Sequence, residues 1–327
     1  MKIYNSVNDL VKELNNLDKI KKINNINDVF EEDLVILLQL LEKVNPCNQQ
    51  YELCDNSIII SYDLKINLLN FKNIIPLKAN VQIIGVPVSI SQKGYFCNAN
   101  SIINIIEKRK GLKLILNSDV EFENGGKTLS TFVFKNRFRS FNEYLNELRS
   151  PYRRRINKAL NHRNLLTIRK LDKSNFNENH YNLYLSIMER TENPLETLKK
   201  EFFLDYDAEI FEFIDNKSND VVGFIQIKEM KNKLHFLFGG FKKESIKEYD
   251  IYYNMLLKII ELGIEKQVEF IEFGQTAEEC KLKIGCKEVP KFMYVHHSNP
   301  ILNFFIQKLV PLFSYKPYNI KHHVFKA

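Results

Sequence analysis

Tryptophan is absent from this chain of 327 residues, and cysteine, methionine and proline are scarce. The cysteines are odd in number and include no C-x-x-C pair, which argues against a disulfide framework and indicates a reducing compartment. They are Cys47, Cys54, Cys97, Cys280 and Cys286. No spacing of His, Cys, Asp or Glu predicts a metal site, and His296 and His297, adjacent on a predicted strand, point to opposite faces.

Long apolar runs are also absent. The N-terminal residues lack the apolar core of a signal peptide, and no stretch of about 18 apolar residues could span a bilayer. We therefore expect a cytoplasmic protein. With 44% hydrophobic and 27% charged residues the composition is that of an ordinary globular protein. A formal net charge of +7 permits an anionic partner without the charge density of a dedicated nucleic-acid binder. Abundant Lys, Asn and Ile are typical of an AT-rich bacterial genome.

The most informative pattern lies near the C-terminus and predicts helix, strand, short helix and strand in that order. The first helix is predicted to begin at Ser245 with a capping box. A core strand is predicted over 268–273, and Thr276 is expected to cap a short helix over 277–284. Polar side chains therefore gather at one strand end, where open α/β sheets usually bind ligands.

The strand end carries the phrase Phe273-Gly274-Gln275-Thr276, which is followed by Lys281-x-x-Ile284-Gly285. This phrase and the order of elements around it resemble the GNAT acyltransferase superfamily, and within it the branch of the Fem-type peptidoglycan peptidyltransferases and related envelope proteins. Fem-type proteins often have Phe-Lys-x-x-Phe-Gly where this chain has the six residues from Cys280 to Gly285. The lysine and the glycine match, and the two aromatic residues do not. The resemblance covers about the second half of the chain.

Both halves of the chain show the same predicted order of hairpin, strand, helix, glycine and strand. In the first half a helical segment over 29–44 precedes a hairpin turn predicted at Asp55-Asn56, and a further helix is predicted from Ala99 to about Lys110. In the second half a hairpin is predicted with strands over 209–215 and 221–230. We therefore predict an α/β (α+β) fold of tandem GNAT-like domains, each a mixed, mainly antiparallel sheet flanked by helices. The predicted divisions are a degenerate GNAT-like domain at 1–138, a basic connecting helix at 139–164 and an acyltransferase domain at 165–327.

The connecting segment carries a basic run around Pro151, from Arg149 to Arg163. Charge alone predicts a solvated connecting helix. The alternative is an anion site in which Arg153 faces a phosphorylated donor or acceptor, and the resemblance implies such an Arg-rich helix.

Acyl transfer to an amine requires an activated donor, a deprotonated nucleophile and stabilisation of the oxyanion. No Ser-His-Asp or Cys-His pattern stands out, which agrees with the resemblance because GNAT enzymes transfer the acyl group directly. Their donor lies where two neighbouring strands splay apart, with its pyrophosphate on backbone N–H groups before a helix.

In this sequence the corresponding segment contains Gly239, Gly240, Lys242, Lys243 and Ser245. A bulky residue at position 240 is expected to weaken donor binding and leave the fold intact. The usual acetyltransferase signature Gln/Arg-x-x-Gly-x-Gly/Ala is missing. Two donors are therefore expected as alternatives, acyl-CoA (or acetyl-CoA) and aminoacyl-tRNA. A Gly-Gly pair after a strand is also typical of a bulge or a turn.

Lys281 is the first candidate for a catalytic residue. By resemblance it matches the Fem-type lysine that faces the donor and steadies charge on the reacting carbonyl, and the alternative is a solvated surface lysine like Lys283. Gln275 is expected to orient a substrate amide, and Thr276 to contact the substrate in addition to its capping role.

Tyr249 and Tyr252 lie near the start of the long helix. The first is a candidate for protonating a thiolate leaving group and the second for contacting substrate, although this spacing is also typical of core aromatics. His235 is a candidate general base, because positions 235, 237 and 239 of a strand share a face. The alternative is a half-buried structural histidine.

The sequence thus predicts an N-acyltransferase that moves an acyl group from an acyl-thioester to an amine of a sugar, amino acid or cell-envelope precursor. One alternative is aminoacyl-tRNA-dependent transfer of the Fem type, against which the lack of a long coiled-coil insertion counts. The other is a non-catalytic membrane-surface or scaffold protein, which draws on the tail at 299–327, a short apolar helix followed by aromatic and basic residues. That tail could equally pack on the sheet.

Overall fold

The computed structural model describes residues 2–21, 32–54, 57–67, 78–87, 91–191, 196–318 and 320–326. Its strands are β1 (Lys2–Tyr4), β2 (Gln50–Cys54), β3 (Ser57–Asn67), β4 (Lys78–Ile84), β5 (Tyr95–Phe96), β6 (Leu112–Ser118), β7 (Gly126–Lys135), β8 (Leu166–Leu171), β9 (Glu209–Asp215), β10 (Val221–Met230), β11 (Lys233–Phe241), β12 (Phe270–Glu272) and β13 (Lys287–His297). Its helices are α1 (Val7–Lys21), α2 (Glu32–Val44), α3 (Ala99–Glu107), α4 (Phe141–Glu147), α5 (Ser150–Arg163), α6 (Glu178–Glu189), α7 (Lys200–Asp205), α8 (Ser245–Glu248), α9 (Ile251–Glu265), α10 (Glu278–Lys283) and α11 (Pro300–Phe313). A hairpin turn predicted at Asp55 and Asn56, and the first residues of a helix predicted over 29–44, lie outside the described residues.

The chain forms two compact units, Met1–Leu129 with Pro290–Lys316 and Ser130–Val289 with Pro317–Ala327. This division differs from the consecutive domains predicted at 1–138 and 165–327. Most of β13 belongs to the first unit because it pairs with β6, a long-range pairing that local sequence patterns do not encode.

In the first unit the strand order is β1-β2-β3-β4-β6-β13, and β5 pairs with β3. All neighbours are antiparallel except β4 and β6, which run parallel with Val81 opposite Leu112. The Asn98 side chain caps α3 by accepting a hydrogen bond from the Ser101 N–H, and α3 buries Ile102 and Ile106 in the core of this unit.

In the second unit the strand order is β8-β9-β10-β11-β12-β7. Here too one pair, β11 with β12, is parallel and the other neighbours are antiparallel. The two units therefore share the same order of antiparallel and parallel strand pairings. The predicted mixed α/β architecture with helix-flanked sheets is confirmed. That they are tandem GNAT-like domains stays a prediction.

Two adjacent glycines of β11 show how helices cover the second sheet. A Cβ atom on Gly240 would lie 2.5 Å from the backbone of Leu183 in α6, and one on Gly239 would lie 2.7 Å from the Met255 side chain of α9. Because successive strand residues face opposite sides, α6 and α9 pack on opposite faces of this sheet.

The helix predicted to run on from Ser245 is interrupted. Asp250 has φ +49°, and this left-handed residue separates α8 from α9. Ser245 is buried and no capping box forms, because Glu244 precedes α8 without a side-chain cap bond. The Asn254 amide donates to the carbonyl oxygens of Tyr249 and Ala159, at 2.7 and 2.8 Å, which stabilises the break and ties α9 to α5.

Within the described part of the chain, none of the helices combines the length and the apolar character needed to cross a membrane.

Candidate active site

The parallel pairing of β11 with β12 is short, and the two strands part after it. The pairing ends at His235 and Glu272, whereas β11 continues to Phe241 in its pairing with β10. Beyond β12 the chain stays with β7, since the Phe273 N–H donates to the Phe132 carbonyl oxygen at 2.9 Å. We call the opening between the diverging strands the β11–β12 splay.

A β-bulge in β11 lies at this splay. Phe236 and Phe238 oppose successive residues of β10, so Leu237 is an extra residue on β11. A bulge shifts the alternation of side chains, and the Cβ position of Gly239 lies 3.3 Å from the Phe236 ring. The prediction that positions 235, 237 and 239 share one face is therefore wrong. The residues 235–239 are all half-buried in mid-sheet, as expected at an opening.

His235 lies at the base of the splay. Its Nδ1 is 3.4 Å from Oε2 of Glu272, the residue opposite it on β12. The carboxylate is a partner that would orient the ring in either a structural or a catalytic role, and the general-base role stays a prediction.

A strained turn follows β12. The φ angles of Gly274, Thr276 and Ala277 are +66°, +64° and +49°. This conformation costs a residue with a Cβ atom about 1–2 kcal/mol, so two such residues in succession must be held by contacts around them. The predicted helix cap at Thr276 is wrong, because Thr276 is exposed and Ala277 precedes α10 without a side-chain cap bond.

Lys281 provides contacts that hold this turn. Its Nζ donates to the carbonyl oxygens of Gln275 at 2.6 Å and Gly274 at 3.2 Å, and lies 5.6 Å from the centre of the Phe132 ring. The residue is 1% exposed. The interpretation as a solvated surface lysine is therefore wrong, and the ammonium group points into the base of the turn.

Burial lowers the pKa of Lys281 to about 7, while Cys286, Cys280 and Glu278 act in the opposite direction. Burial also raises the pKa of the Cys280 and Cys286 thiols. Since the thiolate is the nucleophilic form, neither cysteine is activated for covalent catalysis. Lys281, by contrast, can exchange its proton near neutral pH, the range that suits acid–base chemistry.

Side chains of α9 and α5 lie near α10. Burial raises the pKa of Tyr253, and Cys280 on α10 acts in the same direction. The Arg155 guanidinium lies 3.9 Å from the centre of the Tyr253 ring and donates to Asp250 at 2.6 Å. Arg155 therefore connects the left-handed residue before α9 with Tyr253, which neighbours Cys280 on the helix that carries Lys281. Apart from the place of Arg155 in the basic run, the sequence contains no signal for these contacts.

Tyr252 packs against the end of β11, with its ring centre 6.0 Å from that of Phe241. Burial raises its pKa, and the thiols of Cys280 and Cys286 act in the same direction. Tyr252 therefore lies near the same two thiols as Lys281. Tyr249 has other partners, since burial and then the carboxylates of Glu248 and Asp215 raise its pKa.

The residues of the predicted donor-binding segment lie at the end of β11 and in the turn and short helix that follow it, and their donor-binding role stays a prediction. Gly239 and Gly240 lie within β11 and allow close packing of the helices, and α8 is a single turn. Lys242 Nζ lies 3.4 Å from Oδ2 of Asp220. Lys242, Lys243 and Glu244 line a cavity of ≈ 550 Å³ together with residues of α6. The structure thus groups these lysines with α6 and not with the turn after β12.

The basic run forms α5 and is integrated into the second unit. Ile156 and Ala159 are buried, and the Arg163 guanidinium donates to Glu261 at 2.7 Å. The interpretation as a purely solvated connecting helix is therefore wrong. Arg153 lies half-buried on the same helix, and its anion-binding role stays a prediction.

The part of the chain that the structure describes contains no group of three or more His, Cys, Asp or Glu residues that could hold a metal ion.

No protein-family model and no curated protein sequence matches the chain. Similar solved structures include FemX, with 11% identity over 79% of this chain and 90% of that chain and a TM-score of 0.47. L-PGS from Bacillus licheniformis is 12% identical over 83% and 94% of the two chains, with a TM-score of 0.47. A GCN5-related N-acetyltransferase from Sphaerobacter thermophilus is 8% identical over 81% and 85%, with a TM-score of 0.43. At these identities and TM-scores the likenesses assign neither a family nor an activity to this chain.

Proposed function

We propose that this chain is an acyltransferase that moves an acyl group from an acyl-thioester to the amine of a small-molecule acceptor, such as a sugar, an amino acid or a cell-envelope precursor. The observation that carries the proposal is the β11–β12 splay with the strained, lysine-held turn beside it. Backbone strain of this kind is typical of functional sites.

The splay offers a place for an extended donor. Beyond His235, β11 keeps its partner β10 on one side and loses β12 on the other. Amide groups of an extended donor arm can pair with an open strand edge in the manner of an added strand. The bulge at Leu237 lies at this edge, and bulges often re-aim groups next to active sites.

The proposed reaction is direct transfer. The acceptor nitrogen attacks the thioester carbonyl, the new C–N bond forms, the C–S bond breaks, and the proton lost by the amine balances the one gained by the leaving thiolate. Lys281 acts here as a positioning residue, because its Nζ is bonded to the Gly274 and Gln275 carbonyls and fixes the turn beside the reacting groups. Its positive charge also stabilises negative charge developing nearby.

Aminoacyl-tRNA-dependent transfer is the second candidate, and it would use the same splay. The structure favours it less, because two arginines of α5 already bind carboxylates within the unit.

A thermal-shift screen with acetyl-CoA, longer acyl-CoAs and nucleotide-sugar precursors tests the donor class, because a ligand that binds the folded state raises the melting temperature. We expect stabilisation by an acyl-CoA. Leu237→Trp should abolish that shift by filling the splay, whereas Leu114→Trp, at a half-buried strand position of the first unit, should retain it.

Stabilisation of both variants to the same extent would locate the donor elsewhere. No shift with any acyl-CoA, together with binding of aminoacyl-tRNA, would favour the second candidate.

A further inference from the structure

The helix α11 presents its apolar side chains to solvent. Of the fifteen exposed large hydrophobic residues in the described chain, seven lie on this one helix. They are Ile301, Leu302, Phe304, Phe305, Leu309, Leu312 and Phe313. Exposed apolar residues scattered singly are ordinary, but a contiguous group of this size marks an interaction surface.

The side of α11 that contacts its own unit is, in contrast, largely polar. The Asn303 side chain accepts a hydrogen bond from the His297 N–H at 2.9 Å, and the Gln307 amide donates to the Val295 carbonyl oxygen at 2.6 Å. The Ser314 hydroxyl, directly after the helix, accepts from the Lys127 N–H at 2.8 Å. Val310 is the buried apolar residue on this side.

The amphipathic arrangement of α11 is therefore inverted relative to an ordinary surface helix, which turns its apolar stripe toward the core. Hydrogen bonds attach the helix to the unit, and its apolar stripe is left for something outside. This arrangement argues against packing of α11 itself through its apolar stripe, whereas the end of the tail does pack, with Val324 buried in the core of the second unit.

We propose that α11 docks the protein onto the surface of an anionic lipid bilayer, with the helix lying in the interface and its exposed apolar face inserted among the acyl chains. The exposed face carries no hydrogen-bonding side chain except Lys308, so it suits hydrocarbon better than a protein partner with a polar rim. Lys308 Nζ lies 4.4 Å from the centre of the Phe304 ring, where its stem covers apolar surface and its charge can reach a headgroup.

Charge complementarity selects the anionic lipid. Residues 298–327 contain four lysines and no aspartate or glutamate. Lys308 on the helix and Lys316 just beyond it are exposed. Basic residues next to an inserted helix are attracted by anionic headgroups. In a symmetric pairing of two copies through this face, Lys308 would approach its own counterpart with no acidic side chain on the helix to offset it.

Vesicle co-sedimentation tests the proposal. The full chain should sediment with vesicles of phosphatidylglycerol and phosphatidylcholine, and at least ~10-fold less with phosphatidylcholine alone. The double variant Leu312→Ser/Phe313→Ser removes two side chains that are 74% and 66% exposed, and should lose binding by at least ~10-fold. The matched control Ile36→Ser/Val120→Ser changes two exposed apolar residues of the same unit and should bind like the parent chain.

The absence of tryptophan provides a second measurement. Phe305→Trp places a single indole on the proposed face, and its emission should shift to shorter wavelength when the anionic vesicles are added. Val120→Trp should show no shift. Circular dichroism melting of each variant separates loss of binding from loss of fold.

Three results would overturn the proposal. The first is a folded parent chain that does not sediment with anionic vesicles. The second is binding that the Leu312→Ser/Phe313→Ser variant retains in full. The third is a concentration-dependent dimer that the same variant abolishes, which would identify a second copy as the occupant.

Discussion

A buried lysine is the residue on which the candidate site depends. An ammonium group is costly to bury, and Lys281 is retained at 1% exposure with two backbone carbonyls as its acceptors. The resemblance to Fem-type proteins, together with its place after a strand and a turn, singled out this lysine in the sequence. It could not show the burial, because that depends on side chains brought in from other elements, such as the ring of Phe132.

The lowered pKa of Lys281 makes a testable contribution to stability. Its folded-state value is about 7 and its ordinary value is 10.5. Below about pH 7 both states carry the proton and the fold bears the full cost of the buried charge. Between the two values only the unfolded state binds the proton, so this lysine makes stability rise with pH, by at most about 1.4 kcal/mol per pH unit.

Urea unfolding across that range should therefore show a steeper rise of the free energy of unfolding with pH for the parent chain than for Lys281→Met. Lys283→Met, which removes a half-buried lysine paired with Glu279, should keep the parent slope. Parallel pH profiles for all three proteins would mean that Lys281 keeps its ordinary pKa.

We also expect Lys281→Ala to slow acyl transfer about 100-fold, equivalent to ~3 kcal/mol at the transition state. The sequence predicted little effect on stability, but the structure indicates a loss, because the Gln275 carbonyl loses its ammonium donor. Single-turnover rates normalised to the folded fraction separate the two effects. Equal, small rate changes in Lys281→Ala and Lys283→Ala would remove Lys281 from the mechanism.

At the scale of elements, local pattern predicted the regular pieces well. The strands β9 and β10 have the bounds that the predicted hairpin gave them, and the helix predicted to start at Ala99 does so. The irregular pieces were missed, and these shape the site. The bulge at Leu237 and the left-handed Asp250 depend on pairing and packing that a one-dimensional pattern does not contain.

Close packing of α6 on β11 changes what a substitution at Gly240 should do. The sequence predicted a loss of donor binding with the fold intact. A Cβ atom at Gly240 would lie 2.5 Å from the backbone atoms Leu183 C and Tyr184 N, so Gly240→Ala should destabilise the fold by about 1–3 kcal/mol.

Gly85→Ala is the matched control, because its Cβ atom would meet neighbours only at 3.5 Å or more. We expect that variant to lie within about 0.5 kcal/mol of the parent chain in urea unfolding. Equal stability of the two variants would mean that α6 moves to admit the methyl group.

At the scale of the whole molecule, the two units share one order of strand pairings, and each is completed by a strand that the chain supplies from the other half. The first unit takes β13, which follows β12, and the second takes β7, which follows β6. The repeated order of elements was visible in the sequence. The exchange of β7 and β13 between the units was not visible in the sequence, because it leaves every local pattern of residues unchanged.

This exchange predicts how fragments behave. A fragment of residues 1–138 contains β6 but lacks β13, and a fragment of residues 139–327 contains β12 but lacks β7. Each therefore exposes the edge of a strand that is paired in the intact chain, and we expect each alone to be unfolded or aggregated. Mixed together they contain all the strands, with the cut in the loop between β7 and α4, so co-expression should yield a folded, soluble complex. Circular dichroism and size-exclusion chromatography would show this. Independent folding of residues 1–138 would restore the consecutive domains that the sequence predicted, because β13 would then be dispensable to the first unit.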